Sequence, residues 1–271
     1  MTQKTKRTKV LDHGYVELVE SWGSDEAIVC AARMSTGKGF KGWGPRCVEC
    51  GRYVGAGCRT DVIGDGAPED CKCDDPSLAT KPGDEKLLAY LWKMKHSTPF
   101  EMAGMTVEVK APIFVFRQWH RHRTFSFNEA SARYTPLPDE NYLPSVERLM
   151  VKSTKNKQAG TARGSRELCM EDAEFFRDRL ARMYEKDEQL YQDALAYGIP
   201  KELARIHLPV ARYSKMRASA NLRNWLAFMT LRMDAHAQYE IRVYAEAVAE
   251  FIAAKFPRTW ALFAEGCDGA C

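Results

Sequence analysis

The chain has 271 residues, 45% of them hydrophobic, enough to bury a sizeable core as one large domain or as one domain with a small insert. It has no run of about eighteen apolar residues, so no helix is expected to span a bilayer; the basic, polar start has no apolar stretch behind it, which argues against a secretory signal and for a cytoplasmic protein. The 40 basic and 36 acidic residues leave a net charge of +4, too balanced to imply a nucleic-acid-binding surface.

Tyr15, Val16, Glu17, Leu18 and Val19 alternate as a strand does, and Ser24 is placed to cap a helix running from Asp25 towards Arg33. Of nine cysteines, Cys47, Cys50, Cys58, Cys71 and Cys73 fall within a Gly- and Pro-rich insertion at about residues 38–82. Cys47 and Cys50 have the spacing of a zinc knuckle, and Cys71 with Cys73 can complete four thiolates. A segment so poor in large apolar side chains cannot fold by burial alone, so a zinc clip would order it; the alternative is a loop of reduced thiols. Disulfides do not suit a reducing compartment. Cys30, Cys169, Cys267 and Cys271 lack partners at ligand spacing and are expected to pack or to lie exposed.

Beyond the insertion, Leu87, Leu88, Leu91 and Trp92 recur at helical spacing within residues 84–95, and residues 105–109 read as a strand. Pro112 sits where a helix can begin, carrying Gln118 and Arg121 towards one end. Residues 152–164 look like an exposed, mobile excursion. Residues 167–197 form a long amphipathic helix with Phe176, Leu180, Met183, Leu190 and Ala194 as its apolar stripe, stopped by Gly198. It is expected to be scaffold or subunit interface. A strand is expected to end near Ala220, followed by a helix from Asn221 past Arg232, and Asp234 is placed to cap a last helix through Tyr239 to Phe256. Arg232, between Leu231 and Met233, sits in an apolar setting where an unpaired guanidinium is costly, so an anion or carboxylate partner is expected.

The densest chemistry lies between Arg121 and Arg133, where Arg121, His122, Arg123, Asn128, Glu129, Ser131 and Arg133 gather cations, a carboxylate, a hydroxyl and an amide. Planar guanidinium forks suit phosphate or an electron-rich carbonyl. On charge pattern alone such a run also reads as a solvated face or a nucleic-acid contact. The apolar flank of residues 113–116 with Trp119 favours a loop held against a core, and the simplest reading is a pocket for a phosphorylated nucleotide.

These residues resemble the signature of the flavin-dependent thymidylate synthases: Arg121-His122-Arg123, seven residues, then Ser131, with Gln118 just before. Four further segments fall in the family's order. They are His96-Ser97-Thr98-Pro99-Phe100-Glu101, Ala31-Ala32-Arg33-Met34-Ser35, and downstream Ala204-Arg205-Ile206-His207-Leu208-Pro209 with Leu231-Arg232-Met233-Asp234-Ala235-His236-Ala237-Gln238. The likeness covers nearly the whole chain except the insertion. It implies an α+β fold, a sheet packed with long helices, as a single domain interrupted by the cysteine-rich insertion.

The resemblance further implies FAD as prosthetic group, dUMP as substrate, methylenetetrahydrofolate as one-carbon donor and NADPH as reductant, in a homotetramer whose active sites combine residues of several subunits. Flavin contacts are expected from Ser35, His96, Thr98, Arg121, His122, Arg123, Glu129, His236 and the run Asn221, Leu222, Arg223, with Ala227 where an asparagine is common. Nucleotide contacts are expected from Gln118, Trp119, His120, Arg121, Glu129, Ala130, Ser131, Ala132, Arg133, Arg205 and Arg232. Arg205 and Arg133 suit the phosphate. Arg232, beside the pyrimidine N3, would stabilise negative charge and is the expected catalytic residue. Ser131 as a nucleophile has no neighbouring base in the sequence, so a hydrogen-bonding role is favoured. Met102 also departs from the family pattern, where a histidine is common. Two rivals stand beside this reading: a nonenzymatic nucleotide- or RNA-binding protein, and an enzyme of the same fold that adds a different one-carbon group to a pyrimidine nucleotide.

Overall fold

The computed structural model describes residues 7–44, 46–47, 80–81, 83–152 and 167–268. Along the chain run β1 (Arg7–Val10), β2 (Gly14–Trp22), α1 (Asp25–Ala32), β3 (Arg46–Cys47), β4 (Thr80–Lys81), α2 (Glu85–Lys93), β5 (Gly104–Pro112), α3 (Ile113–Trp119), β6 (Ser126–Glu129) and α4 (Val146–Met150). Then come α5 (Met170–Ala196), α6 (Lys201–Ala204), β7 (Tyr213–Asn221), α7 (Leu222–Arg232), α8 (Tyr239–Lys255) and α9 (Pro257–Asp268). The fold is α+β, as the resemblance implies.

The described residues group into two compact units, one within Met1–Glu20, Met105–Ala220 and Ala227–Glu250, the other within Ser21–Gly104, Asn221–Leu226 and Phe251–Cys271. The first is built on a five-stranded sheet of order β1-β2-β5-β7-β6. Strand β1, unread in the sequence, pairs antiparallel with β2 from Arg7 opposite Glu17 to Val10 opposite Gly14. In β5 the odd-numbered Met105, Val107, Val109 and Ala111 are fully buried, and each of the Met and Val side chains contributes about 1.5–3 kcal/mol relative to exposure. Helix α8 buries Ile241, Tyr244, Ala245 and Val248, the spacing of one helical face, and the Tyr244 hydroxyl donates to the Lys110 carbonyl at 2.8 Å. A Cβ at Gly14 would lie 1.9 Å from that hydroxyl, so β2 must carry glycine there.

Helix α5 ends where Gly198 takes a left-handed φ of 78°, as expected of that glycine. Its expected stripe holds only in part, with Ala194 buried and Leu180 half-buried. Phe176, Met183 and Leu190 are each more than half exposed, whereas Ala173, Tyr191 and Ala194 are the buried residues. The helix packs along its small residues, Tyr191 and Leu195, which leaves Phe176, Met183 and Leu190 facing out.

In the second unit, Ser24 caps α1 by accepting from the Ala27 amide at 3.3 Å, as its place before Asp25 suggests. Buried Asp25 accepts from the Arg258 and Thr259 amides at 2.9 and 3.2 Å and from the Thr259 hydroxyl at 2.6 Å, so one carboxylate satisfies the first turn of α9. Arg33 grips Asp84 with two nitrogens, at 2.5 and 3.0 Å, fixing the approach to α2, where Leu88 and Leu91 are buried. Of the cysteine-rich insertion, the short antiparallel pair of β3 and β4 is described. The expected zinc quartet lies outside the described residues except for the Cys47 backbone, and the expected excursion at residues 152–164 lies outside them beyond Lys152.

Candidate active site

Strand β5 runs straight into α3 at Pro112, whose φ of −59° already suits a helix entrance. Helix α3 stops after two turns, and the chain turns through Arg121–Phe125 into β6, which pairs antiparallel with β7 so that Glu129 faces Met216. The Arg-His-Arg run therefore lies on a tight turn between helix and strand. Trp119, expected by resemblance among the nucleotide contacts, is fully buried and stacked on Phe228 at 4.9 Å, anchoring the end of α3.

The same aromatic wall holds His122. Its ring packs edge-on against Phe228 at 4.7 Å and against Phe125 at 6.0 Å, and its backbone amide donates to the Trp119 carbonyl at 2.9 Å. Burial, and then the positive charge of Arg232, push the His122 pKa down to about 4, so the imidazole is neutral at pH 7. A neutral ring has one nitrogen free to accept, and Arg232 Nε donates to its Nε2 at 2.9 Å. Arg232 Nη2 donates to the Gln118 carbonyl at 2.9 Å.

Of the anion or carboxylate expected beside Arg232, no carboxylate pairs with it among the described residues. Among the described residues its acceptors are a neutral ring and a carbonyl. A half-buried cation is thus tolerated without being neutralised, and burial together with Arg121 holds its pKa below the ordinary value. Position helps, because Arg232 is the last residue of α7, where the helix dipole favours a cation.

Arg232 opens onto a cavity of about 1030 Å³ whose lining includes Gln118, Phe114, Tyr142, Arg148, His236 and Glu240. Asp234 does not cap α8, as its position suggested; it closes the turn before it, with Oδ1 accepting from the His236 amide at 2.7 Å and 2.9 Å from the His236 Nδ1. Residues 233–237 are thus not helical, and Arg232 and His236 reach the same cavity through a turn rather than along one helix face.

The structure separates other expected residues from this cavity. Ala130 and Ser131 line a second one of about 520 Å³ with Lys110, Tyr134, Tyr213 and Lys215, and the Ser131 hydroxyl accepts from the Arg133 amide at 3.3 Å. Ala132 is buried, Arg133 is exposed and ion-paired with Glu202 at 3.1 Å, and Arg205 is half-buried in the 3-10 turn Arg205–His207. Burial raises the pKa of Glu129, against the pull of His120 at 3.9 Å. Arg121 and Arg123 are exposed and have no carboxylate partner among the described residues.

In the second unit Ser35 and Thr98 are exposed in 3-10 turns, and exposed His96 stacks on Tyr90 at 5.8 Å. Asn221 Oδ1 accepts from the Asn224 amide at 3.0 Å, capping α7, while buried Leu222 donates its amide to the Ala103 carbonyl at 2.7 Å. Arg223 is ion-paired with Glu101. Ala227 and Met102 are both exposed.

One group went unread as ligand-facing or supporting. Glu240, Gln238, Tyr142 and Arg148 join through hydrogen bonds behind Gln118. Gln238 stands inside a family-like segment, but nothing in the spacing links it to residues near 148.

A family model described as "Thymidylate synthase complementing protein" matches residues 17–258. Among curated relatives, the flavin-dependent thymidylate synthase of Ehrlichia ruminantium (strain Gardel) is 37% identical across 97% of this chain and 74% of that protein. The protein of the same description from Thermosipho africanus is 35% identical across 94% and 92%. A solved structure of the UMP/dUMP methylase PolB from Streptomyces cacaoi, bound with 5-Br UMP, superposes with a TM-score of 0.68 at 31% identity, covering 95% of this chain and 96% of that one.

Proposed function

Because the chain belongs to the thymidylate synthase complementing protein family, that of the flavin-dependent thymidylate synthases, we propose that it methylates C5 of dUMP to give dTMP. The reaction draws its one-carbon unit from methylenetetrahydrofolate and its reducing equivalents from NADPH. When bound and reduced by NADPH, FAD would supply the hydride needed to bring the transferred carbon to the methyl level. The guanidinium groups of Arg121 and Arg123, exposed and without a carboxylate partner among the described residues, suit the diphosphate of a flavin dinucleotide.

Arg232 in its cavity carries the reading. Two of its N–H groups are held by His122 and by the Gln118 carbonyl, which leaves the rest of the fork oriented but uncompensated. Directed at the imide edge of uracil, it stabilises the negative charge that develops as the ring attacks the one-carbon unit, without a covalent enzyme nucleophile. Neutral His122 orients Arg232 and does not compete with the substrate for its charge. Arg133, Arg205 and Ser131 bind the phosphate, and they do so from a neighbouring subunit in a cytoplasmic homotetramer. The exposed Phe175, Phe176, Met183 and Leu190 of α5 support such an assembly, since they supply apolar surface for its contacts.

The test is the visible spectrum of the purified protein, followed anaerobically as NADPH reduces the flavin and as dUMP with methylenetetrahydrofolate reoxidises it, with the product mass read at the end. A gain of one methyl group on dUMP is expected. A colourless protein that cannot be loaded with FAD moves the assignment to a nucleotide-binding protein. A second reading, methylation of UMP, draws on the UMP/dUMP methylase, solved with both 5-Br UMP and 5-Br dUMP. Parallel turnover of UMP and dUMP separates the two.

A further inference from the structure

Behind the proposed nucleotide cavity, Glu240 is an almost fully buried carboxylate whose two oxygens are both engaged. Arg148 donates Nε to Oε1 at 2.8 Å and Nη2 to Oε2 at 3.2 Å, and the Tyr142 hydroxyl donates to Oε1 at 3.1 Å. The fourth donor is Gln238 Nε2, 2.8 Å from Oε2. Burial alone would raise the pKa of Glu240, yet the hydrogen bonds from Arg148, the backbone and Gln238, with the charge of Arg148, hold it below the ordinary carboxylate value, so it stays ionised.

An ionised carboxylate only accepts, so the amide of Gln238 must turn its NH₂ towards Glu240. Its carbonyl oxygen is then directed to Gln118, whose Nε2 donates to it at 2.6 Å. The polarity of one amide thus sets that of the next. Gln118 has its amino group spent on Gln238 and its backbone carbonyl on Arg232, and its side-chain oxygen remains as an acceptor. Arg232, with two of five N–H groups used, remains a donor. Both residues line the same cavity.

We propose that Glu240 and Gln238 are positioning residues that lock the Gln118 amide as an acceptor beside the Arg232 donors, a pair that matches the N3–H and neighbouring carbonyl of uracil and opposes the N3 and exocyclic amino group of cytosine. The inference rests on the nucleotide reading above and assigns its choice of base. With cytosine, Gln118 would face a bare ring nitrogen or Arg232 an amino group, leaving partly desolvated groups unpaired.

The experiment measures dissociation constants of dUMP and dCMP by calorimetry on FAD-saturated protein, for the wild type and for Glu240→Gln and Gln238→Leu. Circular dichroism establishes that each variant is folded, and Gln238→Leu leaves Glu240 its Arg148 and Tyr142 donors if Glu240→Gln does not fold. The wild type is expected to prefer dUMP by at least about tenfold, the size of one mismatched hydrogen bond. In the variants the Gln118 amide is free to turn over, and the ratio of the two constants should fall several-fold towards unity, chiefly because dCMP binds more tightly. A merely structural role would weaken both nucleotides alike and keep the ratio. Equal binding by the wild type, or an unchanged ratio in a folded variant, overturns the inference while leaving the dUMP site intact. A wild type that binds neither nucleotide overturns the nucleotide reading and this inference with it.

Discussion

Arg212 and Arg232 are both withdrawn from water, and they are treated in opposite ways. Arg212, with a side chain 1% exposed, is ion-paired with Asp139 at 2.7 Å and with Glu188 of α5. Its charge is answered inside the fold, and it ties the helix to the start of β7. Arg232 has a neutral imidazole and a carbonyl, which fix its direction and leave its charge unanswered. A guanidinium between carboxylates is scaffold; one held by neutral acceptors at the wall of a cavity is poised for a negative charge that arrives from outside or develops during reaction.

Removing each arginine should expose the difference. Arg232→Ala is expected to lower kcat by about 10²–10³-fold while the urea midpoint barely changes, since no buried carboxylate is orphaned. Near-wild-type turnover with normal flavin loading would end the catalytic assignment. Arg212→Ala should do the reverse. It strands Glu188 and costs about 3 kcal/mol of stability in urea melts, with Asp139 half exposed and able to rehydrate, and the folded fraction should keep its kcat.

The contrast can also be narrowed by giving Arg232 what Arg212 already has. In His122→Glu a carboxylate stands where the neutral ring was, so the protein should remain as stable as the wild type while dUMP binds about tenfold more weakly by calorimetry. Unchanged affinity would mean that the charge of Arg232 is not what the nucleotide meets. The smallest effect is in pH. The unfolded chain protonates His122 near about 6.5, whereas the folded protein does so at about 4. Stability contributed by the neutral ring is therefore fully present above about 6.5 and is lost as pH falls through that window to about 4, where it levels off. The Tm of the wild type should drop over this range more than that of His122→Asn.

Elements governed by near neighbours were legible in the sequence. Ser24 caps α1, the leucine spacing of residues 84–95 matches α2, Pro112 opens α3 and Gly198 ends α5, each through contacts within a few residues of chain. Strand β1 was missed because an edge strand of basic and polar residues carries little pattern until β2 lies beside it. Periodicity located α5 and the buried Ala194 yet misplaced Phe176, Met183 and Leu190, since a helix with apolar residues on several faces does not say which of them packs inward.

The candidate site divides along the same line. By itself the sequence determined which chemical groups are present and in what order, the Arg-His-Arg turn, the distant Arg232 and the family they mark, because such motifs are strings of neighbours. Tertiary structure decided the rest: that Arg232 has His122 and Gln118 as partners, that Ser131 opens onto a different cavity, and that Glu240 sets the orientation of Gln118 through Gln238. The links from Gln118 and His122 to Arg232 and Gln238 join groups more than a hundred residues apart, and hydrogen bonds that depend on distance and angle exist only once packing has brought their ends together.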